Sequence, residues 1–202
     1  MDDYHNRAGG GGSHESVPGM IEKAAALAPQ EVTEAELKAI NKYALEPLTA
    51  EQVFTFKAVL CDNELDRTYE RFTLKALQDL KKLFLGKTVI KDHARRADNQ
   101  VARIYSTELV TSEKTTKAGE AYTQLVAYCY MVKTAGNADL IAEIKGGIKR
   151  EGSVGCAVSR SICSICGTDN TKSYCRHYRG RTYEKENGPQ VCTFMLDGAV
   201  DA

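Results

Sequence analysis

Ile144-Lys145-Gly146-Gly147-Ile148-Lys149-Arg150-Glu151-Gly152-Ser153-Val154-Gly155-Cys156 is the stretch on which the reading of this chain turns. Its first half completes a helical pattern that Asn137 is placed to cap, with Leu140, Ile141, Ile144 and Ile148 on one side. Gly146-Gly147 weakens the last turn of that helix. Its second half opens a strand of small residues, Ser153 to Ser159, that isolates one serine between glycines. A cysteine cluster follows directly: Cys163-Ser164-Ile165-Cys166, then Cys175-Arg176-His177. A helix, a strand with a lone serine and a cysteine-rich loop in succession predict α+β architecture with a chemical site on the strand.

Upstream of this stretch the pattern changes repeatedly between periods. Val53–Cys61 alternates and is rich in β-formers, so it reads as a strand. Thr73 caps a helix with the apolar stripe Leu74, Leu77, Leu80, Leu83 and Phe84, and Gly86 stands where a C-terminal cap belongs. Thr88–Lys91 is a short strand that delivers Asp92 and His93 to its end. Val101–Val110 and Ala121–Val132 are longer strands joined by the polar connector Thr111–Glu120. In the second, Tyr122, Gln124, Val126, Tyr128 and Tyr130 share one face and Leu125, Ala127, Cys129 and Met131 the other, which marks a central strand. Downstream, Val191–Leu196 is a final short strand. The sum is a mostly antiparallel sheet or barrel with flanking helices, not a doubly wound fold.

The N-terminal part reads differently. Residues 1–19, with the run Gly9–Gly12, read as a disordered arm. Residues 20–47 read as a helical segment. Met20–Leu27 is Ala-rich and broken by Pro29. Thr33-Glu34-Ala35-Glu36 is a capping-box pattern, Leu37, Ile40 and Ala44 share a face, and Pro47 ends the helix. This segment is read as a solvated tether or a partner-binding helix. The remainder, residues 48–202, forms the main domain, with the cysteine-rich insertion at about 161–188.

Composition narrows the function classes. The 202 residues carry 27 Lys+Arg and 27 Asp+Glu, so no global basic field supports a primary nucleic-acid role. No apolar run is long enough to span a bilayer, and the N-terminus lacks the apolar core of a secretory signal. A reducing compartment is therefore expected, in which the seven cysteines serve as thiols or metal ligands.

Cys163 and Cys166 have the spacing that lets two thiolates grip one tetrahedral ion, and Cys175 and His177 supply two more ligands across a polar loop. Four soft or borderline donors suit a structural Zn(II), with Cys192 competing for the place of His177, and with incidental loop cysteines or an unmetallated redox pair as the alternatives. Ser153 is a candidate nucleophile, and the amides of Val154 and Gly155 are candidate oxyanion donors. Of four histidines, His5 and His14 lie in the arm and His177 in the cysteine cluster, which leaves His93 as the candidate general base.

Phe54–Leu60, Asp66-Arg67, the helix Leu74–Phe84, Gly86-Lys87-Thr88-Val89-Ile90-Lys91-Asp92-His93 and Val101-Ala102-Arg103-Ile104-Tyr105, followed by the opening stretch, together resemble the prohead (capsid-maturation) proteases of tailed bacteriophages. The resemblance covers roughly Val53 to Leu196 and includes the cysteine-rich knot as an insertion of one branch. It implies an assemblin-like serine protease that cleaves scaffold, major capsid protein extensions and itself inside the prohead, in the host cytoplasm. By position Ser153 would be the nucleophile and His93 the base, with Arg103 structural and Glu108 or Glu151 as fallback orienters of His93. Ala102 stands where that family has glycine. The chain ends before the family's acidic, aromatic C-terminal strand, so it reads as C-terminally truncated. Partners implied are scaffold and major capsid protein, with a homo-oligomer as a further option; composition gives no membrane partner and argues against, without excluding, a nucleic-acid partner. The alternatives are a non-enzymatic zinc-binding capsid or scaffold component, and a zinc-dependent nucleic-acid-binding module built on Arg176, Arg179 and Arg181 beside Tyr178 and Tyr183.

Overall fold

The computed structural model describes residues 20–92 and 96–202, with the side chains of 20–26 and 30 outside that description. In chain order the elements are β1 (Met20–Gln30), α1 (Glu34–Ile40), β2 (Val53–Asp62), β3 (Glu70–Phe72), α2 (Leu74–Phe84), β4 (Thr88–Ile90) and β5 (Gln100–Thr115). They continue with β6 (Ala121–Val132), α3 (Ala138–Lys145), β7 (Glu151–Cys163), β8 (Thr182–Lys185), β9 (Gly188–Val191) and β10 (Phe194–Asp201). Eight strands form one sheet in the order β3-β10-β7-β1-β2-β6-β5-β4, and β8 and β9 form a separate hairpin. Every pairing is antiparallel except β10 with β3. The α+β class with a mostly antiparallel sheet, expected from the sequence, is what the chain adopts. β6 lies between β2 and β5, as its two apolar faces require.

The Ala-rich segment departs from expectation. Met20–Gln30 is not a helix but a strand in the middle of the main sheet, paired with β7 from Met20↔Ala157 to Ala26↔Glu151 and with β2 from Ala26↔Val59 to Gln30↔Thr55. Alanine favours helix by only tenths of a kcal/mol per residue, roughly up to 0.7, and a strand hydrogen-bonded along two edges overrides that preference. The segment 20–47 is thus no separate helical unit. α1 does carry the expected capping box, with Glu36 N–H donating to Thr33 Oγ1 over 3.3 Å and Thr33 N–H to Glu36 Oε2 over 2.8 Å. It ends at Ile40, before Ala44 and Pro47. Nor is it a solvated tether: Ile40 is buried in a cluster with Val53, Tyr105 and Tyr130, and Tyr105 donates to Glu36 Oε1 over 2.9 Å.

The main core lies on the other face of the sheet. α2 buries Ala76, Leu77, Leu80 and Phe84 there, against Phe56, Leu125, Met131 and Leu196 among others. The Thr73 hydroxyl caps α2 by accepting from Ala76 N–H over 3.1 Å. Gly86, just past the helix end, takes the left-handed φ of 79° that a helix stop calls for. α3 adds Ile141 and Ile144 to the same core and stops at Lys145, short of Ile148, which is exposed. No helix among the described residues is long and apolar enough to cross a membrane.

Candidate metal centre and serine-lined cavity

β7 leaves the main sheet at Cys163, and the chain turns sharply there. Gly167 N–H donates to Cys163 O over 2.9 Å with Gly167 at a left-handed φ of 72°. This turn brings Cys166 back toward Cys163. The loop that follows is tied by Asp169, whose Oδ1 accepts from Ser161 N–H at 3.1 Å, Thr171 N–H at 3.1 Å and the Thr171 hydroxyl at 2.8 Å. Asn170 Oδ1 then accepts from Cys175 N–H over 3.0 Å and fixes the second half of the cluster. The hairpin β8–β9 closes the other side through its turn at Glu186-Asn187 and packs Tyr183 edge-on to His177, with ring centroids 4.6 Å apart.

The ligand atoms of Cys163, Cys166, Cys175 and His177 all lie within 4.8 Å of one another. The four residues singled out by spacing are thus gathered at one point. Every cysteine of the chain is a free thiol. His177 Nδ1 is buried and has no hydrogen-bond partner, which an ion held by the three sulfurs would supply. The chemistry of the sulfurs fits as well. Thr168 sits beside Cys166, its hydroxyl 3.2 Å from the sulfur, and with its backbone amide it pulls the Cys166 thiol down to about 6. Burial pushes Cys163 up to about 12 despite the Ile165 and Cys166 amides that face its sulfur. A cation would reverse that penalty, because a coordinated thiol is bound as thiolate. Cys192, the competing ligand, is fully buried with its sulfur 3.8 Å from that of Cys163, but it is not among the four mutually adjacent donors.

Ser153 is exposed near the start of β7, out of phase with Val154, Cys156 and Val158, which enter the core. It lines a cavity of about 910 Å³ whose floor includes Phe56, Met131 and Ile144 and whose rim includes Asp92, Glu151 and Ser153 itself. Asp92, at the end of β4, has a left-handed φ of 56°. His93 lies outside the described residues. Glu151 shares the cavity with Ser153, whereas Glu108 accepts from the Tyr128 hydroxyl over 2.9 Å. Arg103 donates to Gly86 O over 2.8 Å, a structural tie at the end of α2.

One expectation fails at this site. Val154 and Gly155 both belong to the ladder with β1, opposite Lys23 and Glu22. In an antiparallel ladder adjacent residues alternate between hydrogen-bonded and non-hydrogen-bonded pairs, so their two amides point to opposite edges and do not converge on one oxyanion. The pairing of β7 with β10 stops at Ala157↔Asp201, so among the described residues Glu151–Cys156 is laddered on the β1 side alone.

Comparison with protein-family models, with curated proteins and with solved structures returned no match.

Proposed function

We propose that this chain is a serine endopeptidase of the prohead-protease kind, with an assemblin-like fold and a structural zinc knot. The observation that supports it is that Ser153 and Asp92, the residue before His93 in the sequence, line the same cavity. In this reading Ser153 Oγ adds to the scissile carbonyl while His93 takes its proton. His93 then returns that proton to the leaving amine, and water cleaves the acyl-enzyme by the reverse proton path. One amide on the free edge of β7 is available to the oxyanion, and the second donor comes from outside the Val154–Gly155 pair. The apolar floor receives a side chain of the substrate. Scaffold and capsid-protein extensions are the proposed substrates, and the prohead interior in the host cytoplasm is the proposed place of action.

Zn(II) is the ion proposed for Cys163, Cys166, Cys175 and His177. Four protein donors close a tetrahedral site and leave no position for water, so the ion serves the fold of the knot.

Co-expression with the scaffold or capsid protein, wild type against Ser153→Ala, read by intact mass, tests the protease reading. Discrete products in the wild type alone are the expected result. Identical processing in both removes Ser153 from the chemistry. No processing in either, with the metal retained, favours a non-enzymatic zinc-containing capsid or scaffold component.

A further inference from the structure

The chain is neutral as a whole, but its charge is not spread evenly. Between Thr171 and Lys185 stand five Lys or Arg residues against one acid, Glu184. Two of these cations are committed within the fold. Arg179 pairs with Glu70 over 2.8 Å and lies over the Phe194 ring, and Lys185 donates to Ile165 O over 2.6 Å. A third, Lys172, lies beside Asp169 and offsets part of its charge. Arg176 and Arg181 take part in none of the ion pairs among the described residues.

Arg176 sits in a segment with a two-residue rhythm. Cys175 and His177 are turned inward as donors to the metal cluster and are part-buried, while Tyr174, Arg176 and Tyr178 are exposed. Tyr174 is 93% exposed and Tyr178 63%, although tyrosine normally covers apolar surface. Arg181 holds its guanidinium 4.8 Å from the Tyr178 ring centroid, and Tyr178 N–H donates to the Tyr183 hydroxyl over 2.8 Å. Tyr183 in turn packs against the ligand His177. The inward donors therefore fix the outward residues: the ion that gathers Cys175 and His177 also sets out an aromatic–arginine–aromatic row beside them.

We propose that this row is a binding site for single-stranded nucleic acid, organised by the metal knot and separate from the serine-lined cavity. Two exposed phenol rings give stacking faces for unpaired bases, and Arg176 and Arg181 meet the phosphates between them. Tyr174 and Tyr178 lie four positions apart, a reach of at most about 14 Å, which suits neighbouring nucleotides of one strand. A purely acidic protein partner would use the arginines and leave both rings idle. The proposal rests on the metal reading of the knot but not on the protease reading.

The test is fluorescence anisotropy of a labelled oligo-dT and a labelled oligo-rU on the full metal-loaded chain, with duplex DNA and polyglutamate as competitors. Binding is expected to both single strands and to weaken with salt. Tyr174→Ala and Tyr178→Ala should each weaken it about tenfold, and Arg176→Ala with Arg181→Ala should flatten the logarithmic salt slope by about 0.7 per charge removed. Chelation should abolish binding, and Zn(II) should restore it. All four side chains are exposed, so each variant is checked to retain the wild-type metal content. Absence of binding at low salt, or affinity unchanged in both tyrosine variants, overturns the proposal. Equal competition by polyglutamate overturns it in favour of an acidic protein surface, and tighter binding to duplex overturns the single-strand assignment.

Discussion

The Thr73 hydroxyl donates to Asp197 Oδ1 across 2.7 Å while accepting from Ala76 N–H, so one side chain joins the start of α2 to β10 at the far end of the chain. Arg160 on β7 forms an ion pair with the other carboxylate oxygen. Burial raises the Asp197 carboxyl, but the hydrogen bonds from Thr73 and Arg160 outweigh it and hold the group below the usual carboxylate range. Because the folded-state value is depressed, the stabilisation is complete above the unfolded value of about 3.9 and is lost as pH falls through the lower folded value. Asp197→Asn should therefore lower stability at pH 7 by about 1–3 kcal/mol and flatten the acid limb of the stability curve. Urea unfolding at pH 7 and at a series of acid pH values checks this. An unchanged acid limb would show that Asp197 is not the responsible group.

The ligand set makes separable demands on metal content. Metal analysis of protein purified without added zinc should give about one ion per chain. Cys163→Ser, Cys166→Ser and His177→Ala should each lower that figure. Cys192→Ser should keep the ion and lose stability through the buried contact with Cys163. Metal loss in Cys192→Ser with the ion retained in His177→Ala would exchange the two as ligands.

Thiol reactivity should divide the cysteines sharply. The Thr168 hydroxyl and amide hold the Cys166 thiol down at about 6, and Cys166 is the exposed cysteine, so it is the thiol most open to alkylation near neutral pH. Iodoacetamide labelling at Cys166 should rise when the ion is chelated and be suppressed when metal is restored. Cys129, pushed up to about 12 by burial, should stay unlabelled throughout in the folded protein. Peptide mapping by mass spectrometry reads both sites in one sample.

Gly198 has a left-handed φ of 64°, and a Cβ there would collide with Ser159 Oγ, which donates to Asp197 O over 2.8 Å. Gly119 shares the backbone state, φ 81°, but faces open space. Gly198→Ala should cost more stability than Gly119→Ala, and the first should exceed about 1 kcal/mol. Leu77→Ala, at a site with no exposure, should cost about 2–5 kcal/mol. Thermal and urea unfolding of the three variants ranks them.

What could be read in advance follows from how local each signal is. Thr73 and the stripe behind it specify α2 within one turn of chain, and the helix runs over Leu74–Phe84 as expected. The alternation in Ala121–Val132 identifies a buried strand because both of its faces are apolar. The spacing of Cys163 and Cys166 is itself ligand geometry, so those residues, Cys175 and His177 could be named before any contact was known. β1 could not, because its strand state is imposed by β2 and β7, whose pairing leaves no trace within Met20–Gln30. β7 runs on to Cys163, past the expected Ser159, because β10 supplies a ladder over Arg160–Cys163. The β8–β9 hairpin was hidden by its polar composition, although Asn187-Gly188 is a turn signal that would have disclosed it. The alternation of exposed Tyr174, Arg176 and Tyr178 with inward Cys175 and His177 was present as plain sequence, but only the metal cluster gives it a direction.

The place of β1 also sets a timetable for synthesis. The four strands β2, β6, β5 and β4 are neighbours in the sheet and emerge from the ribosome within one continuous stretch. β1 emerges before all of them, yet one of its edges waits for Glu151–Ala157. At about 5–20 residues per second, that edge stays unpaired for several seconds while more than a hundred further residues are made. During that interval the nascent chain exposes an unpaired strand edge, so the step at which β1 meets β7 is the one at which a chaperone, or a wrong partner, has its opportunity.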